Sequence, residues 1–237
     1  MSLKQNKSEP IKTPEEPPQN AENAAENAEE NGEEKKKEQE ELPPFEVVEG
    51  SRIPASSFMF QFKNVEYSSG RNKTLLCYTV ERGEGQIFRG YLEDEHVSAH
   101  AEDAFFTNVL PQYVSSNPVA VTCYVSSSPC INCAACIARC LRRYKTLKLQ
   151  LVVARLFQWE ESEIRGALRG ITSAGCKLRM MKTADYLHVW QQFVEPDIIL
   201  DDEGIAEQPS EQGAFIPWED LDENAKYYEE RLAEIIR

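Results

Sequence analysis

Two short motifs constrain this chain more than any other part of it: His100-Ala101-Glu102 and Pro129-Cys130-Ile131-Asn132-Cys133. One imidazole and two thiolates make three good zinc ligands. A tetrahedral ion held by three protein groups keeps a fourth position for water, the arrangement of a catalytic site. The ion acidifies that water into a nucleophile near neutral pH. Glu102 stands two residues after the histidine, where a carboxylate can handle protons without binding the metal. A fold that uses these residues together must bring two remote segments to one point.

The surrounding residues suit that demand. Val97, Ala101, Ala104, Phe105 and Leu110 recur at near-helical spacing, which predicts a helix over 97–110 ended by Pro111. Val119 to Ser126 reads as a buried strand. Ser128-Pro129 then turns into a second helix, Cys130 to Tyr144, with Cys130 and Cys133 on one face. A helix start also favours thiolates. Two helix starts meeting over a sheet edge can place three ligands around one ion.

Cys130, Cys133, Cys136 and Cys140 also spell C-x2-C-x2-C-x3-C, the spacing of a bacterial iron–sulfur run. That run is normally followed by Pro, and position 141 is Leu. Its surroundings favour helix over loop, and it leaves His100 and Glu102 without a role. Zinc accounts for more of the residues, with Cys136 and Cys140 as small buried helix side chains.

Residues 1–41 hold twelve Glu, six Lys and no aromatic residue, a composition that cannot bury enough apolar surface to fold. They contain no apolar core of a signal peptide. No run of about 18 apolar residues exists, so no membrane span is expected. Seven cysteines, an odd number clustered near a histidine motif, suit a reducing compartment and a metal better than disulfides. These features predict a disordered acidic tail over 1–41, a single folded domain over 42–237, and a protein that is not secreted.

Within the domain, Pro54 to Phe62 reads as a short helix, and Asn64 to Lys73 as a polar loop. Leu75 to Val80 and Gln86 to Tyr91 read as strands around Arg82-Gly83-Glu84-Gly85. Leu147 to Phe157 is the most apolar strand. Glu160 to Ala174 is a helix ended by Gly175. Lys177 to Met181 is a short strand, and Ala184 to Val194 a helix. An acidic loop over 196–213 precedes an amphipathic helix over 217–237. The sum is an α/β layer fold with a sheet of about five strands between helices.

The H-x-E…P-C-x-x-C signature is that of zinc nucleobase deaminases, AID/APOBEC enzymes among them. From Leu42 onward the chain resembles the AID/APOBEC polynucleotide cytidine deaminases. The match runs through Phe60-Gln61-Phe62-Lys63-Asn64-Val65, Leu76-Cys77-Tyr78, Gly90-Tyr91-Leu92, the zinc motif, Ala154-Arg155-Leu156 and Phe193-Val194-Glu195. Ser126-Ser127-Ser128-Pro129-Cys130, Glu93-Asp94-Glu95-His96 and the acidic tail narrow the resemblance to one branch of that family. It implies a cytidine-deaminase-like three-layer fold, a five-stranded mixed sheet with about six helices. It also implies one zinc ion per chain and hydrolytic conversion of cytosine to uracil in single-stranded RNA or DNA, by mRNA editing or by deamination of DNA cytosine or 5-methylcytosine. Carried over residue by residue, His100, Cys130 and Cys133 match the zinc ligands and Glu102 the general acid/base. Thr74 and Phe157 match positions lining the base pocket, and Arg71 and Arg155 match basic positions near it. An aromatic such as Phe157 offers a base a stacking face worth about 1–3 kcal/mol, though an aromatic ending a core strand looks the same in sequence.

Several residues depart from active relatives. Ser127 stands where they carry Trp, and Phe157 where Tyr is usual. Glu66-Tyr67 stands where Arg and Trp are frequent, and Glu93-Asp94-Glu95 where they have Asn and basic residues. Each change weakens the grip on a polyanion. The whole chain carries −14, yet residues 139–182 sum to +8, a basic strip able to carry RNA or DNA or simply to solvate helix faces. Two functions follow. One is a zinc-dependent cytidine deaminase of low intrinsic activity, cytoplasmic and nuclear, monomeric or weakly self-associating, with protein partners reached through the tail. The other is a zinc-stabilised module that binds nucleic acid or protein in gene regulation without turnover. Carboxylate oxygen is an acceptable zinc ligand, so Glu66 on a loop at the mouth of the site is a candidate fourth ligand that closes it.

Overall fold

The computed structural model describes residues 47–65, 73–94, 100–196 and 213–237. Residues 43–237 form one compact unit. Its centre is a mixed sheet of five strands: β2 (Leu75–Arg82), β3 (Gln86–Asp94), β4 (Val119–Val125), β5 (Leu147–Val153) and β6 (Lys177–Met180). A short sixth strand, β1 (Val47–Gly50), joins one edge, and the order is β1-β3-β2-β4-β5-β6. The first four in that order pair antiparallel, while β4, β5 and β6 run parallel. Parallel neighbours need crossovers, and helices α3 (Ile131–Arg143) and α4 (Ser162–Ser173) supply them.

Alternation along the strands sorts the core onto two faces. Leu76, Val80, Val121, Cys123, Leu149 and Leu151 pack with α2 (Ala101–Ala104), α3, α4 and the later turns of α6 (Leu221–Ile236). Leu75, Cys77, Tyr124 and Val152 pack on the other face with α1 (Ala55–Gln61), α5 (Thr183–Phe193), Phe215 and Leu221. The result is the expected three-layer α/β fold with six helices. No described helix is long and apolar enough to cross a membrane.

Several boundaries differ from the sequence reading. The first site helix starts at Ala101, continues as a π-helical segment over Phe105–Val109, and passes through Pro111 in a 3-10 turn, Leu110–Gln112. Pro111 does not end it, because near the start of a turn its missing N–H costs no hydrogen bond. The strand expected to reach Phe157 stops at Val153; beyond it the chain turns, and Gln158 sits at φ 39°. β3, read over Gln86 to Tyr91, runs on through Glu93 and Asp94. The last helix begins at Leu221, four residues after Pro217. Gly175 does cap α4: at φ 105°, it donates its N–H to the Thr172 carbonyl while Cys176 donates to Ile171, the paired bonds of a Schellman end.

Candidate metal centre

The site forms at the carboxyl end of β4, where the chain leaves the sheet to start α3, the usual place for a site in an open α/β sheet. His100 and Cys130 hold equivalent positions. Each precedes its helix with an extended backbone, at φ −79°, ψ 149° and φ −70°, ψ 175° respectively. Cys133 follows in the first turn of α3 and is 2 % exposed.

Two serines set the turn before Cys130. Ser126 accepts from the Leu75 N–H through Oγ at 3.0 Å and donates its own N–H to the Leu75 carbonyl, which pins the turn to β2. Ser128 accepts from the Phe157 N–H through Oγ at 2.9 Å and donates its N–H to the Arg155 carbonyl, which pins it to the loop after β5. Both are buried. Sequence reasoning passed over these anchors, and their only signal was two short hydroxyl side chains beside a ligand motif.

His100 Nδ1 lies 3.4 Å from Cys130 Sγ and 3.4 Å from Cys133 Sγ, and the three ligand atoms all fall within 4.8 Å of one another. Zn–S and Zn–N bonds of about 2.3 and 2.0–2.1 Å at a tetrahedral angle place N and S about 3.5 Å apart. The donor set therefore fits one zinc ion. It is the sole such group among the described residues. Cys136 faces the core and the Cys140 thiol points to the Phe106 carbonyl, so neither joins it and the iron–sulfur reading fails on geometry.

Without metal the cluster holds its charges in a tight arrangement. A hydrogen bond from the Cys133 thiol, helped by His100, pulls Cys130 down to about 3, and the same contact pushes Cys133 up. Against that thiolate His100 rises to about 9. Glu102, on α2, is 2 % exposed, and one of its carboxylate oxygens has no hydrogen-bond partner among the described residues. Burial raises its carboxyl to about 7, which suits a group that both takes and gives a proton at neutral pH. Asp94, also buried, stands close enough to raise both His100 and Glu102. It is a second buried carboxylate near the candidate ligands, and it lies beyond the strand read over Gln86 to Tyr91.

The remaining candidates spread around this centre. Thr74 is buried beside Leu75, and its carbonyl accepts from the Asp94 N–H at 3.2 Å. Phe157 is half-buried on the loop after β5. It shares a groove of about 680 Å³ with Ser127, Trp159, Asn224 and Tyr227. Arg231 lies over the rings of Trp159 and Tyr227. Arg155 is 2 % exposed, and its guanidinium donates to the Gln61 carbonyl at the end of α1. Glu66 and Arg71 lie outside the described residues.

The basic strip does not survive as one surface. Arg155 is enclosed, Arg179 pairs with Asp185 and Lys182 with Glu229, and Arg169 donates to the Ile235 carbonyl.

Comparison with known proteins adds the family. The APOBEC2 family model matches residues 46–237. The C->U-editing enzyme APOBEC-2 of Homo sapiens is 54 % identical over 201 residues, covering 83 % of this chain and 85 % of that protein. The probable C->U-editing enzyme APOBEC-2 of Bos taurus and the C->U-editing enzyme APOBEC-2 of Mus musculus are 52 % and 51 % identical over the same shares.

Proposed function

Because the chain belongs to the APOBEC2 family, we propose that it is a zinc-dependent hydrolase converting cytosine to uracil in single-stranded RNA or DNA, with low intrinsic activity. One observation carries this reading: the His100 nitrogen equidistant from the Cys130 and Cys133 sulfurs, with a buried, partnerless Glu102 oxygen in the same site. Zinc bound there would supply an acidified water as nucleophile. Glu102 takes the proton from the nucleophile and delivers it to the departing amine. Its burial holds the carboxyl near the working pH. Thr74 and Phe157 form walls for the base, and Ser128 holds Phe157 in place through its backbone. Arg155 acts by fixing the loop after β5 against α1. All seven cysteines are free thiols, which supports residence in the reducing cytoplasm and nucleus, where mRNA processing and DNA cytosine deamination take place.

The test is uracil formation in single-stranded RNA and DNA oligonucleotides. The parent should yield uracil in at least one of them, and Glu102→Ala should reduce it by about 10²-fold or more. Equal yields from parent and variant would sink the reading.

Asp94 favours a second reading. This buried carboxylate adds negative charge to the surroundings of Glu102 and so opposes a polyanion, and Ser127 stands where active relatives carry a large aromatic. On this reading the chain is a zinc-stabilised module that binds nucleic acid or protein without turnover. Glu66 remains part of our proposal as a fourth ligand that closes the site. Glu66→Ala should then raise turnover with zinc content unchanged, while Glu84→Ala should not; equal gains would reduce the effect to general electrostatics.

A further inference from the structure

On the face where α1 and α5 pack, Leu75, Cys77, Tyr124 and Val152 are buried, whereas the next row along the strands is polar and half-buried to exposed. The pairing puts Arg89, Thr79, Thr122, Gln150 and Lys177 side by side in that row, running from β3 to β6. Lys148 lies one row further out, beside Ala120, on the same face. Arg89, Lys148 and Lys177 are solvent-exposed, and none forms an ion pair among the described residues. A strand spacing of about 4.8 Å sets Arg89 and Lys177 about 19 Å apart, and a rise of about 3.3 Å per residue sets Lys148 about 8 Å from Lys177.

We propose that this basic row of the sheet face is a second contact surface for a single-stranded polynucleotide, which it holds by the phosphate backbone. On a chain of net charge −14, three unpaired cations in one band mark a place for an anionic partner. The Thr122 hydroxyl and the Gln150 amide lie half-buried between them. Hydroxyls and amides can serve phosphate and sugar oxygens. Glu81, next to Ile87 at one corner, is the acidic residue on the open rows.

A protein partner fits less well, because protein interfaces centre on buried aromatic or apolar anchors. Ile87, 52 % exposed, is the exposed large apolar side chain here. Of the rings beside the band, Tyr124 is 8 % exposed and lies against His188 of α5 at 5.5 Å. Contact is therefore to phosphate and independent of sequence. The face lies on the opposite side of the sheet from α2 and α3, which carry the metal ligands, so it does not depend on turnover.

Fluorescence anisotropy with labelled oligo-dT and oligo-U tests it on the full chain. These probes lack cytosine, so they exclude recognition of the target base. Arg89→Glu/Lys148→Glu/Lys177→Glu should weaken binding at least about tenfold, and the slope of log affinity against log salt should fall by about 2, since each single-strand phosphate contact contributes about 0.7. Arg139→Glu/Arg142→Glu/Lys145→Glu makes the same charge change on and just after α3 and should cost less than about twofold. Zinc content and thermal unfolding establish that both variants fold. Equal losses in the two variants, unchanged affinity in the first, no binding by the parent, or displacement of the probe by polyglutamate at equal charge would each overturn the proposal. Failure to form uracil with binding retained would count against the deaminase reading alone.

Discussion

His100, Cys130 and Cys133 come from two remote segments whose ligand atoms meet at one point. An ion bound by all three therefore stabilises the fold as well as the chemistry. Cys130→Ser should lose zinc in metal analysis and lower the unfolding temperature. On the proposed role of Glu102 as a proton carrier and not a ligand, Glu102→Gln should keep a full zinc complement and lose turnover. Zinc loss in Glu102→Gln would show that the roles within His100-Ala101-Glu102 are wrongly divided.

Among the elements, α5 depends on one ion pair. Arg179 on β6 grips Asp185 in the first turn of α5 through two bonds, Nη1–Oδ2 at 2.6 Å and Nη2–Oδ1 at 2.7 Å, and the Lys182 N–H adds a third at 2.8 Å. Burial alone would raise the Asp185 carboxyl, but these donors hold it below its ordinary 3.8. A depressed carboxylate stabilises the fold above its unfolded value, and that contribution disappears as the pH falls through the lower folded value. Asp185→Asn should therefore cost about 1–2 kcal/mol near neutrality, after allowance for the partial exposure of both side chains. The gap between parent and variant should close below pH 3.8, as urea unfolding across that range would show. A gap independent of pH would mean that the charge is not what matters.

At the scale of the whole molecule, one buried polar side chain joins the C-terminal segment to the start of the domain, beside the packing of Phe215 on Phe58. Asn64, just after α1, accepts from Trp218 Nε1 at 2.7 Å and donates to the Leu221 carbonyl at 2.9 Å. Trp218 in turn packs edge-on against Tyr186 of α5 and Phe215. Asn64→Ala leaves a buried donor and a buried acceptor without partners, at about 1–3 kcal/mol each. It should release α6 first, seen as faster amide exchange in α6 before β4 and β5. Uniform protection loss would instead place Asn64 in the global core.

The His100, Cys130 and Cys133 group was legible in the sequence because a metal centre needs those residue types at short spacing, and so were the strands and helices whose apolar periodicity is strong. The same periodicity could not mark where β5 ends, because Ala154-Arg155-Leu156 is as apolar in pattern as the strand before it. Only the hydrogen bonds from Ser128 show the turn. Nor could it place Asp94 in the site, since a charged residue in an acidic run reads as solvated until β3 carries it inward. The charges of residues 139–182 are fixed by composition, but their fate is not. Pairing buried Arg155, matched Arg179 to Asp185, and left Lys148 and Lys177 facing water on the same sheet face as Arg89 of β3. Side-chain identity is local information, whereas which groups meet across strands depends on register and on which helix covers which face, and only the folded chain decides that.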